Sequence, residues 1–253
     1  MEVLMSQVSS SPNNGAGTRA FEGVLELMSE LFFASLEPGN NYVTRPIILN
    51  TALYYALGYA QGNYVNKPVN KRSKKQQPAY IEETNGIVDT IYVSPARPIG
   101  DIHYTSENSN ARSDEYIQYN RLKEQKNSPT GKIGTRKQIQ PGARFRFFVL
   151  TFDGSEPDMP PYIRVGKKRS KALVTWREVP VSMTDGEFLM NHPVLVDDLA
   201  EMPLGDLSFQ RMQPFDVIER GRFIEPHLVL DCGAPAGRFA LPASIRFLRR
   251  YRA

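Results

Sequence analysis

The stretch Ala143–Arg177 constrains the fold more than any other. It reads ARFRFFVLT, then an acidic, proline-rich loop, then PYIRVGKKRSKALVTWR. Arg144 and Arg146 alternate with Phe145, Phe147 and Val149, the period of two of a strand with one buried face. Tyr162–Val165 and Ala172–Trp176 read as two further short strands, joined by Gly166-Lys167-Lys168-Arg169-Ser170-Lys171. A strand cannot bury its apolar side alone, so the stretch implies a sheet with one apolar face and a cationic loop at one end. Such residues suit holding an anionic backbone better than making or breaking bonds.

The rest of the chain fills in around this sheet. Residues 1–20 are polar after Met5 and read as a loose tail. Gly23–Phe33 is expected to be a central strand. Pro38-Gly39-Asn40-Asn41 marks a turn. Thr44 is expected to cap a helix with Pro46 in its first turn. That helix, Ile47–Ala60, is apolar nearly all round and so is expected to be buried, with Gln61-Gly62 ending it.

Residues 63–140 are polar and basic, with Lys71-Arg72-Ser73-Lys74-Lys75 and Asn127–Lys132. Gly86–Val93 reads as a strand, and Glu115–Gln125 fits a strand edge or a short helix equally. Large apolar residues are too few here for a second core, so the segment reads as an insertion, a long hairpin or flexible arm. Asn191–Met202 is expected to be a short helix or strand–turn unit. Phe215–Ile218 and His227–Leu230 are short strand candidates. This order is α+β, one domain over residues 1–253. A helix-covered, mainly antiparallel sheet of ferredoxin-like or RRM-like type fits it best.

Charge is segregated along the chain. The total is +4, but residues 178–231 carry 11 acidic and 3 basic side chains, and residues 144–177 carry 3 and 8. The last 22 residues carry five arginines and no acid. A basic face of this kind concentrates phosphates, and an acidic one repels them or meets a basic protein. The single cysteine, Cys232, excludes a disulfide within the chain and is expected to be a buried, inert thiol, which suits a reducing, cytoplasmic setting. No run approaches the roughly 18 apolar residues of a membrane span, and the start lacks the pattern of a signal peptide.

Motifs for chemistry are sparse. His103, His192 and His227 form no HxH or HExxH arrangement. Asp197 and Asp198 are adjacent, so their side chains diverge. Gly131-Lys132-Ile133-Gly134 and Cys232-Gly233-Ala234-Pro235-Ala236-Gly237 match no nucleotide-binding pattern and read as turns, although the second could bring backbone N–H groups to an RNA phosphate. No cofactor, metal or catalytic residue is expected.

The cationic loop is different. Gly166 lets a backbone approach a phosphate, Ser170 can donate to its oxygens, and Lys167, Lys168, Arg169 and Lys171 supply charge. Arg144, Arg146 and Arg164 extend this set, with Arg45, Arg238 and Arg246 as secondary contacts. Five phosphate contacts would give a salt slope of about −3.5 on a single strand. Phe145, Phe147, Tyr162 and Trp176 are aromatic neighbours. Alternation sends the phenylalanines to the core, and Tyr162, sharing a face with Arg164, is the better stacking candidate.

Three blocks carry a resemblance: ELFFASLEPGNNYVTRPIILNTALYYALGYA (residues 30–60), YIRVGKKRSKALV (162–174) and GRFALPASIRFL (237–248). They cover about a quarter of the chain, at both ends and the middle. Together they resemble the type I-D member of the CRISPR-associated protein five family, a subunit of the Cascade complex. In the second block Arg169 stands where that pattern often has a bulky apolar residue. The resemblance implies a RAMP fold with a thumb inserted after the first helix, for which residues 63–140 are the segment long enough. It implies a non-catalytic subunit that grips the 5′ handle of the crRNA and caps the backbone filament. Its neighbours would be a backbone subunit of the protein seven family, the large type I-D subunit and target DNA within the complex. Two other functions remain open. One is a metal-independent endonuclease processing precursor crRNA, with His103 or His192 and Tyr104 or a lysine as acid and base. The other is a DNA-binding accessory protein.

Overall fold

Phe145, Phe147 and Val149 are fully buried, Arg144 is exposed and Arg146 half-buried, so the alternation does form a strand with one face in the core. Each such phenylalanine contributes about 1.5–3 kcal/mol by leaving water. A computed structural model describes residues 17–39, 41–60, 62, 78–110 and 133–252. The chain begins with β1 (Arg19–Leu27), β2 (Asn41–Val43), helix α1 (Asn50–Ala56) and helix α2 (Tyr80–Thr84). There follow β3 (Ile91–Val93), β4 (Arg97–Ile99), β5 (Tyr104–Asn110), β6 (Ile133–Ile139) and β7 (Arg144–Thr151). The expected strand pair is β8 (Tyr162–Val165) and β9 (Ser170–Val179). The rest are β10 (Val181–Thr184), β11 (Glu187–Met190), β12 (Val194–Leu195), β13 (Gly205–Gln210), β14 (Val217–Ile224), β15 (His227–Asp231) and β16 (Arg238–Pro242).

The main sheet runs β3-β7-β1-β9-β8, with β4 also on β7, and all its pairings are antiparallel. β1 is central, as expected, but starts at Arg19. Ala20 is fully buried, and Arg19 is held by Glu178 at 2.8 Å, so these two residues belong to the sheet and not to a tail. Gly23 faces Phe147 on one side and Trp176 on the other. Having no side chain, it lets those two rings meet edge-on at 5.3 Å across β1.

The predicted 14-residue helix is seven residues long. Ile48 exchanges backbone hydrogen bonds with Ala96, at 3.0 and 2.7 Å, which holds Ile47–Leu49 extended. Thr44 caps nothing; its hydroxyl donates to Phe33 O at 2.9 Å and accepts from Phe33 N. Gly58, at φ +82°, stops the helix. Asn50, Thr51, Leu53 and Tyr54 are buried and the other helix residues partly so.

Residues 63–140 are not wholly an insertion. β3 and β4 pair with β7, and Tyr92, Val93 and Ala96 are fully buried in the core. The expected strand Gly86–Val93 is a turn followed by β3. β5 and β6 pair with each other and form a separate sheet with β2, which runs parallel to β6. Residues 1–16, Gln61, Lys71–Lys75, Glu115–Gln125 and Asn127–Lys132 lie outside the described residues.

A second layer covers part of the main sheet. Phe148, on the face opposite Phe147, packs on Phe239 and His192 at 5.2 and 4.9 Å. This layer holds sheets β10-β15-β16 and β11-β14-β12, with β13 also on β14. Asn191–Met202 supplies β12 and a 3₁₀ turn, Val196–Asp198. The fold is therefore mostly antiparallel sheet with few helices. Among the described residues no helix is long and apolar enough to cross a membrane.

Candidate nucleic-acid interface

The uncovered end of the main sheet carries the cations. In β8, Tyr162 and Arg164 are exposed and alternate with buried Ile163 and Val165. Directly paired residues of antiparallel strands share a face. Arg164 pairs with Lys171 and Tyr162 with Leu173, so the first pair stands side by side with Tyr162 along the strand. The line continues from Leu173 to Glu26 on β1, Arg144 on β7 and Ile99 on β4. Three strand spacings separate Tyr162 from Arg144, about 14 Å.

The β8–β9 turn is shaped by its backbone. Gly166 has φ +81°, and a Cβ there would lie 2.7 Å from Leu31 Cδ1 and 3.0 Å from Phe32 O. Lys167 N donates to Phe32 O at 2.9 Å, and Arg169, at φ +52°, donates its N–H to Gly166 O. The close approach that needs glycine is thus made to the chain itself and not to a ligand. The side chains of Lys167, Lys168 and Arg169 are left pointing outward, all exposed. Lys168 Nζ lies 2.7 Å from Glu107 on β5, tying the turn to the β5–β6 hairpin.

Five expected cations are therefore exposed together: Arg144, Arg164, Lys167, Arg169 and Lys171. None has a carboxylate within ion-pair distance among the described residues. Other expected site residues are used internally. Arg146 donates Nε to Glu22 Oε1 at 2.6 Å and lies over the Phe239 ring. Ser170 is buried and its hydroxyl donates to Glu30 O. Trp176 meets Phe147 and donates Nε1 to Pro160 O at 3.0 Å. Arg246 stacks on Phe152 at 3.9 Å and donates to Ile245 O. Arg238 is exposed but paired with Asp231 at 3.0 Å, whereas Arg45 is exposed.

The Cys232–Gly237 turn is closed on itself. Cys232 N donates to Gly237 O, Gly237 N to Gly233 O, and Gly233 N to Asp231, so these groups are not available to a phosphate. Cys232 is buried, and burial pushes its thiol up to about 11. His192 is fully buried, with Nε2 against Ser94 Oγ and Pro95 O; burial pulls it down to about 3. His227 is buried and stacks on Phe188 at 4.1 Å, whereas His103 is exposed. Among the described residues no three metal-ligating side chains converge.

Two features beside the turn were not anticipated. Arg136 on β6 joins it through Glu107, which lies 4.0 Å away, whereas Lys137, on the other face of β6, lies over the Tyr104 ring at 4.2 Å. The signal available was the basic pair in the run IGTRKQI, but its position beside the turn depends on the β5–β6 pairing. A groove of about 950 Å³ adjoins the turn, with Phe33, Tyr55 and Met212 on its walls and Lys167 and Arg169 at its rim.

Comparison with solved structures returns distant likenesses. A chain of the Type III-B Cmr-beta complex bound to cognate target RNA and AMPPnP is 10% identical, covering 81% of this chain and 86% of that one, with TM-score 0.44. The same complex bound to cognate target RNA gives 11% identity and TM-score 0.41, with the same coverage. A CRISPR protein from Archaeoglobus fulgidus is 14% identical, covering 88% of this chain and 98% of that one, with TM-score 0.39. Among curated proteins no relative matches. The family model described as type I-D CRISPR-associated protein Cas5/Csc1 matches residues 18–250, nearly the whole chain, and the protein belongs to that family.

Proposed function

We propose that this chain is a non-catalytic RNA-binding subunit of a type I-D CRISPR surveillance complex. Its exposed sheet end grips the 5′ handle of the crRNA, and the subunit caps the backbone filament on an RRM-like (RAMP) core. The observation that carries this reading is the cluster Arg144, Arg164, Lys167, Arg169 and Lys171, exposed and without carboxylate partners among the described residues, around a Tyr162 that is 68% exposed. Cations left unpaired on one face suit phosphates, and an exposed ring beside them suits a base. Membership of the type I-D family supports the complex to which the RNA belongs. The β5–β6 hairpin, whose residues 111–132 lie outside the described set, is the segment proposed as thumb.

Protein neighbours are proposed for the surface of the acidic segment, residues 178–231. Among the described residues, seven of the ten exposed large apolar side chains lie between Met183 and Ile224, within the acidic segment. Leu204, Leu207 and Ile224 are each more than half exposed, which fits contact with another subunit. A backbone subunit of the protein seven family and the large type I-D subunit are the proposed occupants, with target DNA bound within the assembled complex.

The non-catalytic reading is supported by the commitment of two histidines, His192 and His227, to packing. The test is metal-free incubation of the purified chain with labelled precursor crRNA, followed by gel and filter binding on one sample. Binding without cleavage, strongest when the 5′ handle is present, is expected. Discrete cleavage that survives EDTA and is lost in His103→Ala would replace this reading with the endonuclease. Preference for duplex DNA would replace it with the DNA-binding accessory protein.

A further inference from the structure

Arg97 on β4 differs from its neighbour Arg146. Arg146 has Glu22 at 2.6 Å, whereas Arg97 has no carboxylate within ion-pair distance among the described residues. It is half-buried, donates Nη1 to Asn191 O at 2.8 Å and lies 5.9 Å over the Phe239 ring. Burial holds this guanidinium below its ordinary pKa, Arg146 lowers it further, and Glu219 partly offsets both. A partly desolvated cation in that position is stabilised by an anion from outside.

Arg97 lines a cleft of about 510 Å³ between the main sheet and the β13–β14 pair, a size suited to a small molecule. Arg220, exposed and without an ion pair among the described residues, lines the same cleft. Pro46, Pro98 and Pro193 form flat apolar walls, with Ile47 beside them. Gln210 donates Nε2 to Glu219, and its buried Oε1 has no hydrogen-bond partner among the described residues. The cleft therefore offers two cations, one carboxylate (Glu219, held by Gln210), apolar walls and one unused acceptor.

We propose that this cleft is a nucleotide site: Arg97 and Arg220 take the phosphate, the proline walls take the base, and Gln210 Oε1 accepts from an exocyclic amine. An unsatisfied buried acceptor selects for a ligand that donates to it. That favours cytidine or adenosine over uridine, since uracil presents a carbonyl where cytosine presents an amine. The residues of this cleft are distinct from those of the β8–β9 turn. The nucleotide comes either as a residue splayed from a single strand or as a free nucleotide.

The test is calorimetric titration of the full chain with CMP, UMP and inorganic phosphate, repeated for Arg220→Glu and Gln210→Met. Saturable binding of CMP is expected, about fivefold tighter than UMP and tighter than phosphate alone. Arg220→Glu should weaken CMP about tenfold, and Gln210→Met should erase the preference over UMP. The Lys167→Ala, Arg169→Ala, Lys171→Ala variant should keep CMP binding, which separates this site from the strand-binding face. Displacement of CMP by single-stranded RNA identifies a strand residue as the natural ligand, and simultaneous binding identifies a free nucleotide. Absence of saturable CMP binding, equal affinity for CMP and UMP, or an unaffected Arg220→Glu variant would overturn the assignment.

Discussion

Glu22 Oε1 accepts a hydrogen bond from Arg146 Nε at 2.6 Å, in the middle of the β7-β1-β9 sheet. Glu22 is 4% exposed, and its other oxygen accepts from Arg177. One carboxylate thus pairs with two arginines from the two neighbouring strands. Removing it leaves Arg146 half-buried and unpaired. Glu22→Ala is expected to cost about 3–5 kcal/mol, the cost of breaking a buried pair by deleting one partner. Arg146→Ala should also lower the denaturation midpoint while leaving the salt dependence of RNA binding unchanged. A shallower salt slope with unchanged stability would instead make Arg146 a phosphate contact.

Gly166→Ala tests how the cationic turn is held. An alanine at φ +81° is strained, and its Cβ would press on Leu31 and on Phe32 O. A loss of about 1–3 kcal/mol in chemical denaturation is expected. Unaltered stability would mean that the turn does not need this close approach.

Tyr162→Ala separates stacking from packing. The ring is 68% exposed, so its loss should leave the melting temperature within about 2 °C. If a base stacks on it, RNA affinity falls by about 1–3 kcal/mol. Equal affinity of variant and wild type in filter binding would remove Tyr162 from the interface.

Asp198 makes stability depend on pH. Its carboxylate is fully buried and accepts from Asn50 Nδ2, Tyr92 Oη and Leu248 N. Burial raises it to about 7, from an ordinary value near 3.8. The folded state therefore holds a proton that the unfolded chain has released. This contribution is fully present below about pH 4 and is lost as pH rises through about 7, with a slope of at most about 1.4 kcal/mol per pH unit. Asp198→Asn should flatten that part of the stability profile. An unchanged profile between pH 4 and 7 would assign the titration to other groups.

The sheet was legible where alternation is strict. Phe145, Phe147 and Val149 face the core because a period of two leaves them one side, and Tyr162 and Arg164 face water for the same reason. The helix boundary was not legible. Ile47–Leu49 are as apolar as the helix that follows, and only the pairing of Ile48 with Ala96, 48 residues on, holds them extended. The candidate site was legible as a cluster and not residue by residue. Arg146 and Arg144 look alike in sequence, but one meets Glu22 and the other meets water. Ser170 pairs with Val165, on the face opposite Lys171, and so turns inward to Glu30. Such partners lie more than a hundred residues away and become visible once strand order and register are known.

The central claim is tested most directly by the salt dependence of handle binding. Wild-type protein and the variant Arg164→Ala, Lys167→Ala, Arg169→Ala, Lys171→Ala are titrated with 5′-handle RNA across a range of salt concentrations. Each lost phosphate contact on a single strand should reduce the slope of log K against log salt by about 0.7. Weaker binding and a slope shallower by about 2.8 are predicted for four lost contacts. Equal affinity and slope for the two proteins would contradict RNA binding at this face.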